Sequence, residues 1–165
     1  MIFVTVGTHE QPFNRLVEHI DKLKGDGVIQ EEVIIQTGYS TYEPRHCKWQ
    51  KLFPYTEMIE LVEQARIVIT HGGPSSFIMP LQIGKVPIVV PRKKEFGEHV
   101  NDHQVEFAKV VHDRQGSIIL VENVDALKQV ISDYNNLIEN KQNQQISNNT
   151  KFCHKFSELV EEMLL

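Results

Sequence analysis

The chain has 165 residues, 41% apolar and 24% charged, the balance of a soluble globular domain long enough to bury its own core. Seventeen Lys and Arg against 22 Asp and Glu leave a formal charge of −5, so no global basic field recruits nucleic acid, and Arg92-Lys93-Lys94 is the basic run that stands out. Cys47 and Cys153 lie far apart in polar sequence, which predicts two thiols in a reducing compartment. No apolar run reaches the roughly 18 residues of a membrane span, and Met1 to Val6 lacks the basic leader of a signal peptide. The expectation is a cytosolic protein unless a partner holds it at a membrane.

Taken in order, Ile2 to Val6 is a β-branched run stopped by Gly7, predicting a buried strand, followed by a loop over Thr8 to Pro12. Phe13, Leu16, Val17, Ile20 and Leu23 repeat at helical spacing until Gly25-Asp26-Gly27. Val33 to Gly38 predicts a second strand, 39–49 an irregular polar and aromatic segment, and Trp49 to Phe53 a short strand closed by Pro54. Met58, Ile59, Leu61, Val62 and Ala65 form a helical stripe. Strands over Ile67–Thr70, Val86–Val90 and Ile118–Val121 alternate with helices over 74–83, 101–112 and 127–138. Residues 139–150 are rich in Asn and Gln and predict a polar linker, and 151–165 predict an amphipathic helix that packs back or docks a partner. The domain proper is therefore 1–138. There is no internal repeat.

Apolar strands alternating with helices predict an α/β fold, a Rossmann-like parallel sheet with helices on both faces. Ligands of such sheets sit at the carboxyl ends of the strands. Four polar loops fall there: Thr8 to Gln11, Thr37 to Tyr39, His71 to Gly73, and Arg92 to Gln104. Gly72-Gly73-Pro74-Ser75-Ser76 joins a strand to a helix, where glycines admit an anion to backbone N–H groups and Pro suits the first helical turn. It is neither a Walker loop nor the dinucleotide fingerprint, and a plain tight turn also wants glycine. His99 and His103, four apart, would share a helix face and permit a metal. A hydroxyl-rich ligand is the better use of Glu98, His99, Asn101, Asp102, His103 and Gln104. Ser75 or Ser76 with a histidine and an acid suggests a hydrolase, but no nucleophile elbow is present.

Ile2 to His9, Ile69-Thr70-His71-Gly72-Gly73-Pro74, and Ile88 to Arg92 with Gly97 to Gln104 together resemble the glycosyltransferase family 28 C-terminal domain. The likeness is to the small, split form of bacterial exopolysaccharide and capsule clusters and covers roughly residues 1–135. It is similar, more distantly, to the catalytic subunit of the eukaryotic two-subunit UDP-GlcNAc transferase. The resemblance implies the C-terminal, nucleotide-sugar half of a GT-B enzyme, with a UDP-sugar as donor substrate and no cofactor or obligatory metal. Gly7, Thr8, His9, His71, Gly72, Gly73, Pro74 and Ser75 would surround the diphosphate, and Glu98, His99, His103 and Gln104 the hexose. His71, His9 and Glu98 are the implied catalytic candidates.

It further implies inverting transfer of a hexose, galactose first, to a lipid-diphosphate-linked saccharide in exopolysaccharide or capsule synthesis. A membrane-anchored, acceptor-binding subunit would be needed, and a homo-oligomer is open. The alternatives are a non-catalytic nucleotide-binding subunit and a UDP-GlcNAc transferase. Larger relatives carry a Glu for the ribose hydroxyls about eight residues beyond the histidine. Here Met79-Pro80 stands there, so ribose must be held differently.

Overall fold

Strands of continuous apolar sequence need cover on both faces, and the chain supplies it by alternating helices across one sheet. The computed structural model describes residues 1–142 and 149–164. Strands β1 (Ile2–Thr5), β2 (Val33–Gln36), β3 (Lys48–Gln50), β4 (Ile67–His71), β5 (Ile88–Val90) and β6 (Ile119–Leu120) form one sheet in the order β3-β2-β1-β4-β5-β6. Every neighbouring pair is parallel. The helices are α1 (Asn14–Gly25), α2 (Tyr55–Gln64), α3 (Pro74–Gln82), α4 (His103–Gln115), α5 (Leu127–Ser132), α6 (Tyr134–Gln142) and α7 (Asn149–Leu164).

Because side chains alternate along a strand, each apolar run divides between two cores. Ile2, Val4, Ile67, Ile69, Ile88 and Val90 face α1, where Leu16, Val17, Ile20 and Leu23 meet them. Phe3 and Val68 point the other way, onto Leu61 and Val62 of α2 and Ala65 just after it, and Val89 meets Phe77 and Ala108 of α3 and α4. One polar group belongs to the α1 face. Asp21 is 1% exposed, and its carboxylate accepts hydrogen bonds from the Tyr42 hydroxyl and the N–H groups of Arg45, His46 and Cys47. Burial alone would raise its pKa, but these donors outweigh it and hold the carboxyl below its ordinary value.

Several boundaries differ from the sequence expectation for local reasons. β1 and β2 stop early because Gly7 and Gly38 turn the chain at φ of 74° and 55°, values open to glycine. The helix expected from 101 starts at His103, where Asn101 Oδ1 accepts the His103 N–H while Asp102 accepts from Lys94 N–H. The single helix expected over 127–138 is two, parted at Asp133, after which the Tyr134 hydroxyl donates to the Val86 carbonyl at 2.7 Å. α6 continues to Gln142, within the stretch read as linker, of which 143–148 lie outside the described residues. Cys47 is buried beside Asp21 rather than in polar surroundings, and burial pushes its thiol up to about 12. No disulfide joins it to Cys153.

Candidate functional site

The strand order reverses between β1 and β4, with α1 leaving to one face and α3 to the other. Their loops part at this switch point and leave a crevice outside the strand ends. The loop after β1 carries Gly7, Thr8 and His9, and the junction of β4 with α3 carries His71 at the strand end, Gly72 and Gly73 between, and Pro74 to Ser76 in the first helical turn.

His71 binds these two loops together. A Cβ on Gly7 would lie 2.3 Å from its Nε2, and one on Gly73 would lie 2.2 Å from its Cε1. The imidazole therefore fills space that only two glycines leave open. Its Nδ1 accepts the Gly73 N–H at 3.0 Å, so in the neutral ring the proton is on Nε2, 2.8 Å from Ser76 Oγ. Ser76 then accepts from His71 and keeps its own hydroxyl hydrogen to give away. Burial chiefly, with the charge of Arg92 second, pushes His71 down to about 4 and keeps the ring neutral at pH 7.

The loop after β5 is tied down by arginines. Arg15 grips Glu98 through Nε–Oε1 at 2.8 Å and Nη2–Oε2 at 2.9 Å, and Lys93 N–H donates to the same Oε2. Arg92, fully buried, donates to the carbonyls of Val6, Gln11 and Glu98. Gln104 accepts the Arg92 N–H on its oxygen, which leaves its NH2 group for a ligand.

Two cavities open on this edge. The first, about 460 Å³, is lined by Gly7, Thr8, His9, His71, Ser75 and Gln104 together with Ser76, Tyr55, Met58 and Met79. The second, about 600 Å³, is lined by Gly72, Gly73, Pro74, His99, His103 and Gln104 with Phe107 and Val110. They meet at Gln104 and the Gly72–Ser76 turn, so most of the sequence-predicted residues line one composite crevice, while Glu98, Asn101 and Asp102 do not, the last two being spent on the N–H groups of His103 and Lys94. Glu98 is 3% exposed and both its oxygens are engaged, so it lines neither cavity. The expected helical pairing of His99 with His103 also fails, because α4 begins at His103. His99 instead meets His9 edge to face, centroids 4.7 Å apart, and exposed His103 lies 3.6 Å from Glu106. Burial, then His99, then Arg92 lower the His9 pKa.

Sequence reasoning missed Tyr55, and it named Ser76 and Arg92 without their roles as the His71 partner and the clasp of the β1–α1 loop. The signal for Ser76 was its place five residues past His71 across a Gly-Gly-Pro turn. Arg92 stood in the one basic run of note, and nothing in that run shows that its side chain is buried.

The sequence profile of the glycosyltransferase family 28 C-terminal domain matches residues 1–163. The chain belongs to this family. This glycosyltransferase 28 domain is 29% identical over 119 residues to the mouse UDP-N-acetylglucosamine transferase subunit ALG13 and 30% identical over 122 residues to the human one. Each match takes in 67% of the chain and 10% of the relative, so the chain corresponds to a small part of those proteins. Among solved structures, the glycotransferase of kitacinnamycin superposes with a TM-score of 0.55 at 18% identity, over 79% of this chain and 34% of that one. SnogD from Streptomyces nogalater gives 0.51 at 18% identity, over 73% and 31%. The glycosyltransferase 28 domain thus shares the parallel-sheet fold of GT-B enzymes, as the sequence predicts.

Proposed function

We propose that this domain binds a UDP-sugar and is the donor-binding, catalytic subunit of an inverting hexosyltransferase whose acceptor is a lipid-diphosphate-linked saccharide, in exopolysaccharide or capsule synthesis. The observation that carries this reading is the pair of cavities meeting at a glycine turn on the sheet's switch point. With the Gly73 N–H on His71, no N–H on Pro74 and the Ser76 N–H on the Gly73 carbonyl, the Ser75 N–H at the start of α3 is the one this turn can offer a diphosphate, beside the Ser76 hydroxyl. On one side, Tyr55, Met58 and Met79 give the 460 Å³ cavity a partly apolar wall suited to a nucleoside. On the other, His99, His103 and the Gln104 amide suit a hexose. The ribose falls beside Met79, with the hydroxyls of Thr5, Ser75 and Ser76 lining the same cavity in place of a carboxylate.

Of the three catalytic candidates, His9 is the one whose imidazole faces a cavity without being consumed by the scaffold. Its lowered pKa leaves it neutral and able to accept a proton near pH 7. His71 acts through Ser76, and Glu98 acts by fixing the loop. Galactose is the first donor to test. UDP-GlcNAc is the second reading, favoured by the name of the ALG13 relatives. Their designation as a subunit also supports an acceptor-binding partner, membrane-anchored, which would hold this domain at the cytoplasmic face. No helix among the described residues is long and apolar enough to cross a membrane. In this scheme 1–138 binds donor, 139–150 links, and the C-terminal helix docks the partner.

Calorimetric titration with UDP, UDP-galactose, UDP-GlcNAc and UDP-glucuronate tests the donor reading, and failure of all four, with and without the partner, sinks it. His9→Ala and His103→Ala in the reconstituted complex separate catalysis from mere nucleotide binding. If transfer survives both changes, the chemistry belongs to the partner.

A further inference from the structure

A buried charge with no carboxylate hydrogen-bonded to it is costly, and Arg92 carries one, eased only by the nearby Glu98 charge that it shares with Arg15. Its side chain is 0% exposed and heads the fully buried side chains by size among the described residues. The guanidinium is held by neutral groups: the carbonyls of Gln11 at 2.6 Å, Val6 at 2.8 Å and Glu98 at 3.0 Å, and the face of Phe13 at 4.9 Å. Its Nε has no acceptor among the described residues. The adjacent acid, Glu98, turns its carboxylate onto Arg15 instead. Two guanidinium groups thus share the neighbourhood of one carboxylate, and one positive charge is left over.

The place of that charge gives it a use. Val6 and Gln11 are the two ends of the β1–α1 loop, so Arg92 clasps the base of the segment whose Gly7, Thr8 and His9 line the 460 Å³ cavity. Neither cavity is lined by a lysine or an arginine. Lys93, next in the chain, pairs with Glu95, and Glu10 on the loop is exposed. A nucleoside diphosphate brought to the cavity at the β1–α1 loop meets hydroxyls and the His9 and His71 imidazoles, both with lowered pKa, with the Arg92 charge behind the loop; the one acid lining the neighbouring cavity is Glu106.

We propose that Arg92 is the resident counter-charge of the donor site: a buried positioning residue that draws the ligand's diphosphate onto the β1–α1 loop through the loop backbone, where other sites use a surface lysine. The inference rests on the reading of this crevice as a UDP-sugar site. Two consequences follow from burial. The attraction is weakly screened by salt, unlike that of an exposed cation. It is also constant through neutral pH, because burial lowers the Arg92 pKa only to about 10.

The test compares wild type, Arg92→Lys and Arg92→Gln for binding of UDP by calorimetry and of uridine by NMR titration. Arg92→Gln is expected to weaken UDP binding by about tenfold or more with uridine little changed, while Arg92→Lys, which keeps the charge, stays within about threefold of wild type. In the same samples the His9 imidazole should titrate higher in Arg92→Gln and near its wild-type value in Arg92→Lys. Equal losses in both variants would mean that the fork of hydrogen bonds, not the charge, matters, and would overturn the proposal. Should Arg92→Gln not fold, wild type alone decides: the gain in affinity from uridine to UDP should persist from low salt to 0.5 M (roughly a 4 Å Debye length). A gain that vanishes overturns the proposal, whereas wild type that binds no UDP at all overturns the reading of the site beneath it.

Discussion

The tautomer of His71 is set by one backbone contact, and much of the site's chemistry follows from it. With Gly73 N–H on Nδ1, the ring must donate from Nε2 to Ser76, and the Ser76 hydroxyl hydrogen is directed away from the histidine. Ser76→Ala should therefore weaken UDP binding by about tenfold or more, the range for a hydrogen bond to a charged group, while Ser76→Thr retains it. An unchanged calorimetric Kd in Ser76→Ala would show that the hydroxyl faces no ligand. The same burial makes His71 a pH-dependent stabiliser. Its folded pKa, about 4, lies below the ordinary 6.5, so the unfolded chain binds the extra proton first. The contribution is complete above about pH 6.5, falls as pH drops toward 4, and amounts to about 3 kcal/mol. Urea unfolding at pH 7 and pH 4.5 checks this, with a steeper loss expected for wild type than for His71→Gln. The glycines and His71 were legible as a motif in the sequence, but their roles were not. Only the close approach of Gly7 and Gly73 to one ring shows that the histidine is a keystone of two loops.

At the scale of elements, periodicity placed the strands and most helices, because a parallel sheet imposes continuous apolar runs that sequence displays directly. Ends were less legible. They depend on single groups such as positive-φ Gly7, or on Asp102, whose side chain serves Lys94 N–H rather than its own helix. The segment 39–49 looked irregular, and it is, yet it is not loose. Asn14 accepts the N–H groups of Thr41 and Tyr42, while Asp21 accepts four donors from Tyr42 to Cys47. A helix reads as amphipathic from its apolar positions, so a buried aspartate serving a distant loop leaves no periodic trace. Asp21→Ala would strand those donors and is expected to cost about 3 kcal/mol or more, at the upper end for a buried network. Chemical denaturation should show the loss, and hydrogen exchange should place its largest effect in 41–47. A cost below about 1 kcal/mol would mean the loop holds itself.

For the molecule as a whole, the body and the last helix stand in different physical situations. Residues of the body share cores on both faces of the sheet, whereas α7 leaves Phe152, Phe156, Leu159 and Met163 exposed at 62%, 57%, 57% and 84%. These four recur at intervals of four, three and four, the seam of a helix that packs against another helix. An isolated helix of 16 residues is marginal in water, so an apolar seam left in solvent is better explained by a docking partner than by its own stability. Amphipathicity was visible in the sequence, but the choice between packing back and docking out was not, because both use the same stripe. We propose docking, on the exposure of these four side chains. A chain ended at Gln142 should keep its UDP affinity and lose no more than a few degrees of Tm, since the described α7 side chains bury little against the body. The same truncation, and Phe156→Asp in the full chain, should abolish capture of the acceptor-binding subunit on co-expression, measured by affinity pull-down and size-exclusion chromatography. If the truncated chain unfolds, α7 completes its own domain. If it still captures the proposed subunit, the contact lies elsewhere, and the exposed edge of the crevice around Phe107 and Val110 becomes the surface to mutate next.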